Sequence, residues 1–373
     1  MRGMQKDNRK SKNFPETLRY WIGTLLWAVP AWWFIFPPPP AAVEYWFSQR
    51  WYRWMLDLMT PLTQSIRFPL ALVLFFVGCI AFAFLWARRW TLIRRIQRRS
   101  HWAGLLWGIR CIVFVLPVLI IWFLVFWGAG YRRLPVEERL RLDTSPISDR
   151  DMSSLRELLL EQVKRNVVLP HGREPGRAVK SISLAMAKIV ARWDGSAIDL
   201  PGRVKLTPKG FLLANSTSGV CAPFTLEPLV DKALPDTALV YSAAHELGHV
   251  AGFCPEDEAS FAGYISGLQA EDGYARYACA LSAYLDLINN LKGEEFKKAL
   301  EALPQAAKQD LKETKEAYRK YRLAWFTDFS WRAYNRYLQV QGVREGVRNY
   351  SHGINLLAYA WRKGLITSKT DFR

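Results

Sequence analysis

The sequence predicts two joined parts: an α-helical membrane part with three transmembrane helices, and a mostly α, α+β soluble domain with a small antiparallel sheet. Three observations point there. Residues 1–130 hold 13 of the 17 tryptophans, and sixteen Lys/Arg against four Asp/Glu, a composition suited to lipid and its headgroups. From Tyr131 onward the chain becomes soluble in character, so the domains are expected at 1–130 and 131–373. Within the second, residues 243–249 read Ala-Ala-His-Glu-Leu-Gly-His, which on a helix sets two imidazoles on one face.

In the membrane part, residues 1–19 are polar and basic, and Tyr20 to Phe36 is the first apolar run. It ends in Trp32-Trp33-Phe34-Ile35-Phe36 and four prolines, not in a small-residue cleavage site. An uncleaved span is therefore expected rather than a signal peptide. Residues 41–68 mix Tyr45, Trp46, Trp51, Tyr52 and Trp54 with charges, and read equally as a segment at headgroup depth or as an ordinary loop helix. A second span is expected from about Pro69 to Ala87 and a third from about Ala103 to Gly128, with Arg110 near its start.

Short loops rich in Lys/Arg stay in the cytoplasm. The N-terminal tail and the 88–102 segment carry six such residues each, and the 37–68 loop carries three. Both basic segments can be inside only if the N-terminus is inside, and three spans then put residues 131–373 outside the cytoplasm. The formal net charge of +18 is concentrated where it meets anionic lipid. No nucleic-acid motif accompanies it, so the lipid bilayer is the expected partner and nucleic acid is not. A transporter would place further polar groups within its spans than Arg110.

In the soluble domain, residues 148–165 and 178–192 have helical spacing. Between Val204 and Leu229 the texture changes to short strands with turns: Val204 to Leu206, Phe211 to Leu213, and Val220 to Thr225. From Glu258 onward the chain reads as nearly all helical, with a solvated Lys/Glu-rich stretch at 293–319. Cys221, Cys254 and Cys279 lack C-x-x-C spacing, which leaves either one disulfide or three buried thiols.

The histidine-bearing helix is expected to be capped by Pro235-Asp236-Thr237 and to stop at Gly252. His245 and His249 can then ligate one ion, with Glu246 beside the first as a proton acceptor. A third ligand is sought among the acidic residues that follow. If the helix runs one turn past His249 and Pro255 opens a returning helix, Glu258 descends to the level of the histidines and Glu256 stays above it.

Ser218-Gly219-Val220, Pro223-Phe224-Thr225, the His-Glu-Leu-Gly-His stretch, Gly252-Phe253 and Glu256-Asp257-Glu258-Ala259-Ser260-Phe261 resemble, in order and spacing, a bacterial membrane family of unknown function. That family pairs a membrane part with a zinc-peptidase-like domain carrying H-E-L-A-H and E-D-E-A-N-F. The resemblance spans roughly residues 69–365 and is most specific around 219–262; Gly248 replaces the usual Ala and Ser260 the usual Asn. More distantly the helix pair is similar to gluzincins, whose third ligand is a Glu on the next helix, often four residues before an Asp or Asn. That pattern favours Glu256 as the alternative to Glu258.

The resemblance implies a zincin-like soluble domain in a bacterial cell membrane protein, bound Zn²⁺, and cleavage of a peptide or protein substrate with Glu246 as the base. An oxyanion donor is also needed, for which Tyr350, His352, Tyr264 and Tyr277 are candidates. The strand from Gly219 to Thr225 is either an edge that pairs with an extended peptide or an ordinary core strand. A catalytically silent metal-binding scaffold or receptor module is the competing reading.

Overall fold

The computed structural model describes residues 16–97, 101–340 and 352–366. The chain divides into two compact units, one from the residues up to Pro38 with Phe76–Val125, the other from Pro39–Phe75 with Phe126 onward.

The first unit is built from the helix Glu16–Ile35, most of the helix Leu70–Gln97 and the helix His101–Phe126. Trp27 donates its indole N–H to the Val113 carbonyl at 3.0 Å. Among the described residues one helix is long and apolar enough to cross a membrane, over Leu70–Leu92; Ile22–Ile35 and Cys111–Phe126 are shorter apolar stretches. The expected three spans are thus three apolar helices, of which only the second has the length by itself. The first run falls short of about 20 residues, and Arg110 interrupts the third.

The second unit is mostly helical, around a mixed sheet of three strands. These are β1 (Lys205–Thr207), β2 (Gly219–Ala222) and β3 (Glu227–Asp231), in the order β1-β3-β2. β1 runs parallel to β3 and β2 antiparallel to it, so the expectation of an antiparallel sheet is corrected. The reason lies in Phe211-Leu212-Leu213, which forms no strand. The buried Asp231 carboxylate accepts the N–H groups of Gly210, Leu212 and Ala233 at 2.8 Å and that of Leu213 at 3.1 Å. Those bonds fold the segment into a turn that carries the chain past β3 to its far side. A backbone whose donors are satisfied by a carboxylate has no need of a ladder.

The helix Asp236–Val250 packs on β2 and β3, and the helices Asp149–Asn166, Pro175–Asp194, Glu256–Leu268, Gly273–Ile288 and His352–Arg362 pack on it or on one another. Asp149–Asn166 and Pro175–Asp194 match the expected helical spacing at 148–165 and 178–192. The three cysteines of this unit are free and buried.

Residues 40–65 form one helical stretch, a π-helical Val43–Trp51 leading into Tyr52–Ser65. It lies in the second unit, whereas the sequence placed it with the membrane part. One face buries Tyr52, Met55, Leu56, Thr60 and Thr63 at helical spacing. The exposed aromatics on the other face dominate the composition and mask that pattern.

The stretch is fastened by buried charges. Arg133 grips both carboxylate oxygens of Glu44 at 2.9 Å and donates to the Gly252 carbonyl at 3.1 Å. Asp194 receives Arg53 at 2.8 Å and Arg139 at 3.2 Å, and lies 3.6 Å from Arg133. Arg139 also lies 3.6 Å from Glu258. Three arginines therefore face three carboxylates, a neutral set. Burial alone would raise the pKa of Glu44, but the bidentate Arg133 holds it below the usual carboxylate range.

Removing one member strands the others in a low-dielectric interior. Arg133→Met is expected to cost about 3–5 kcal/mol of unfolding free energy, and Arg133→Met with Glu44→Leu less than that. Denaturant titration of the detergent-solubilised protein checks both values.

Candidate metal centre

The helix Asp236–Val250, here the motif helix, starts after Pro235, which forms no side-chain cap. Asp236 instead sets a negative charge in the first turn, and the Thr237 hydroxyl donates to Asp310 at 3.0 Å. The end of the helix is better defined. Gly252 has φ +94°, the Phe253 N–H returns to the Gly248 carbonyl at 3.1 Å and the Gly252 N–H to that of His249 at 2.9 Å. This is a Schellman turn, and its left-handed residue must be glycine or pay strain. Tyr52 donates to the Val250 carbonyl at 2.8 Å, and with the Arg133 bond to Gly252 O the turn is clamped from outside.

The turn also aims the second imidazole. His249 Nδ1 lies 2.8 Å from the Phe253 carbonyl, so Nδ1 carries a proton and Nε2 is the nitrogen turned toward Glu256. From Pro255 the chain enters the helix Glu256–Leu268, here the return helix. It crosses the motif helix at very short range. A Cβ on Gly248 would stand 2.8 Å from the Ala259 carbonyl oxygen, and one on Gly263 3.2 Å from the His245 nitrogen. Gly248, which has no Cβ, permits this approach.

The close crossing decides the third member of the site. Glu256 Oε2 lies 3.0 Å from His245 Nε2 and 3.4 Å from His249 Nε2, and ligand atoms of the three residues all lie within 4.8 Å of one another. Glu258 goes elsewhere: its Oε1 accepts the Val136 N–H at 3.0 Å and its Oε2 faces Arg139. The preference for Glu258 is therefore corrected in favour of the alternative, Glu256. The Schellman turn reverses the chain at once, so the first residue of the return helix is already level with the histidines. Two residues later the helix has turned by about 200°.

Burial opposes the charge on Glu256, but His249 and His245 outweigh it and hold the carboxylate well below its usual range. For His249 burial works downward, and the Glu256 charge overrides it, raising the imidazole to about 9. Glu246 lies beside them with 4 % of its surface exposed. Burial pushes it up to about 7 against the pull of the two histidines. Its Oε2 is buried and has no hydrogen-bond partner among the described residues. β2 makes room for it: a Cβ on Gly219 would stand 2.6 Å from Glu246 Oε1.

His245 is steadied from behind by Ser260, at the Asn position of the gluzincin-like pattern, and beyond it by Tyr241, which the sequence reading missed. Its Nδ1 lies 3.2 Å from the Ser260 hydroxyl. Ser260 and Tyr264 both hydrogen-bond Tyr241, whose ring stacks on that of Tyr264 at 5.2 Å, and Tyr264 donates to Asp286. Tyr241 stands four residues before His245, on the same helix face, the spacing that could have revealed it.

Of the oxyanion candidates, Tyr264 is thus spent on Asp286, and Tyr277 donates to Asp310 at 2.6 Å. His352 opens the helix His352–Arg362, whose Gly353 packs against Ser260 and Asp257 of the return helix. Tyr350 lies outside the described residues.

Residues 47–358 match a protein family described as "Protein of unknown function (DUF3810)". The chain belongs to this family. The matched span contains the motif helix, the return helix, β2, and Tyr52. No curated protein and no solved structure matches the chain, so the reading of the site rests on its own geometry.

That geometry fits a divalent ion. Two imidazole nitrogens and a carboxylate oxygen converge, the second imidazole is fixed by a carbonyl, and a buried carboxylate oxygen without a partner lies alongside. Ser260→Ala frees the His245 ring, and is expected to weaken Co²⁺ binding about 10–100-fold. Titration followed by the cobalt d–d absorption bands checks this, with one ion per chain expected in both proteins.

Proposed function

We propose that the chain is a membrane-anchored, zinc-dependent metallopeptidase. The observation that carries this reading is the juxtaposition of the His245/His249/Glu256 group with the unpartnered carboxylate oxygen of Glu246. Two histidines and one glutamate are a donor set used by zinc in hydrolases, leaving the ion one open position. Zinc bound there supplies Lewis-acid chemistry, acidifying water and polarising a carbonyl.

The chain's own groups do the rest. Glu246 takes the proton from the attacking water and passes one to the leaving amine. Its buried surroundings suit it to hold a proton between those two events. His352 and Tyr350 are the proposed oxyanion donors; the hydroxyls of Tyr264 and Tyr277 are directed to Asp286 and Asp310. β2 is an edge of its sheet and runs beside Glu246, so an extended peptide can add to it as a further strand.

The membrane reading keeps the N-terminus in the cytoplasm and residues 131–373 outside it, in a bacterial cell membrane. It draws on the arginine asymmetry between loops and on the apolar helix Leu70–Leu92. The two shorter apolar helices complete a multi-pass anchor in this reading, with flanking residues reaching the interfaces.

Metal analysis of the purified protein separates the ligands. Glu256→Ala is expected to lose the zinc that the wild type retains. Glu258→Ala is expected to keep it and to lose stability by about 3–5 kcal/mol, because three buried arginines are left with only Glu44 and Asp194 to face them.

Activity separates an enzyme from a silent scaffold. Glu246→Gln is expected to keep full zinc content and to lower hydrolysis of a casein or quenched-peptide library about 10²–10⁴-fold. Equal turnover by wild type and variant, or none by either, would favour the scaffold.

A further inference from the structure

The helical stretch 40–65 presents two opposite faces. Tyr52 and Glu44 on the inner face hold the Schellman turn, Tyr52 directly through the Val250 carbonyl and Glu44 through Arg133. The outer face exposes Trp46, Trp54, Leu58 and Leu62, at 66 %, 56 %, 43 % and 55 % of their surfaces. Trp54, Leu58 and Leu62 follow one another at intervals of four, and Trp46 is set on the same side by the wider π-helical turn. Arg50 lies 3.4 Å over the ring of Tyr45, a cation and an aromatic at the rim of this stripe.

What such a stripe meets is indicated by the chain that follows it. Only residues 66–69 separate it from the helix Leu70–Gln97, whose Leu70–Leu92 portion has none of its most apolar window buried. The first turn of that helix is pinned to the soluble fold. Glu227 accepts the N–H groups of Leu70 and Ala71 at 3.1 and 2.7 Å, and is itself buried with Lys205 and Thr225. A span that begins at a fixed point fixes the membrane surface there, within one short connection of the Trp/Leu stripe. Tryptophan beside leucine and arginine is the chemistry of the headgroup zone, where an amphipathic helix buries its apolar face in the plane of the interface.

We propose that the 40–65 helix lies in the membrane interface with Trp46, Trp54, Leu58 and Leu62 toward lipid, and so ties the turn that follows His249 to the membrane surface. The inference rests on the membrane anchorage read above and not on peptidase activity. It makes the helix a platform: lipid on one side, the clamp on the metal site's turn on the other.

Nitroxide depth measurements on the full-length chain in phosphatidylcholine/phosphatidylglycerol vesicles test it, in a Cys79→Ala, Cys111→Ala background that leaves only buried cysteines. Labels are placed at Leu58→Cys and, separately, Leu62→Cys, with Leu74→Cys in the span and Lys297→Cys on the solvated surface as references. Labels at 58 and 62 are expected to favour collision with oxygen over nickel-EDDA, at a depth between the two references. Collision values matching Lys297→Cys would overturn the proposal, placing the face in water. Protection from both reagents would overturn it too, because a protein surface such as a second copy would then cover the stripe. If the Leu74→Cys label itself is not in lipid, the anchorage reading fails and this inference falls with it.

Discussion

The clamp on the turn after the motif helix is the interaction on which the site depends. A Schellman turn needs only a glycine to form, but it does not by itself hold two helices at one angle. Here the Gly252 carbonyl is taken by Arg133 and the Val250 carbonyl by Tyr52. Arg133 can be buried only because Glu44 meets it in a two-bonded pair and Asp194 stands close by. A buried set of three arginines and three carboxylates adds little net stability over apolar packing, yet any other arrangement leaves a charge without its partner. The set therefore acts mainly by excluding alternatives. It ties residues 40–65 to a loop about two hundred residues later.

From that fixed turn the rest of the centre follows by close approach. Gly248 and Gly263 let the two helix backbones cross where a Cβ at 248 would collide and one at 263 would be tightly pressed. The crossing brings Glu256 to the histidines and turns Glu258 away to Arg139. Gly219 does the same on the other side, leaving room for the Glu246 carboxylate under β2. Each imidazole is then steadied by a second contact, His249 by the Phe253 carbonyl and His245 by Ser260. The rings are thereby oriented by the protein alone, which would limit the ordering that binding of an ion must impose.

Several other buried carboxylates resemble site residues by burial alone but have structural work. Asp231 gathers four backbone N–H groups around a turn. Asp310 takes Arg173 through both oxygens as well as Thr237 and Tyr277. Glu227 joins a lysine, a threonine and the start of the long apolar helix. Each is fully hydrogen-bonded, whereas Glu246 keeps an oxygen without a partner. Hydrogen bonding thus sets Asp231, Asp310 and Glu227 apart from Glu246, although Asp257 and Glu258 of the return helix also keep one buried oxygen each without a hydrogen-bond partner among the described residues.

The sequence by itself determined the helical character of the chain, its apolar helices, the helix that carries His245, Glu246 and His249, and its stop at Gly252. These are local properties: periodicity, turn chemistry, and residues four apart on one helix face. It also narrowed the third member of the site to Glu256 or Glu258. Only the tertiary structure decided between them, because the choice depends on how steeply the return helix enters, and that angle is set by glycine contacts and a clamp from residues 44, 52 and 133. The mixed sheet was hidden for the same reason, since the carboxylate that folds residues 210–213 into a turn lies on β3. The place of the 40–65 helix was hidden too. Its exposed tryptophans are visible in composition, but its buried face has meaning only against the charges and carbonyls that the fold brings to it from far along the chain.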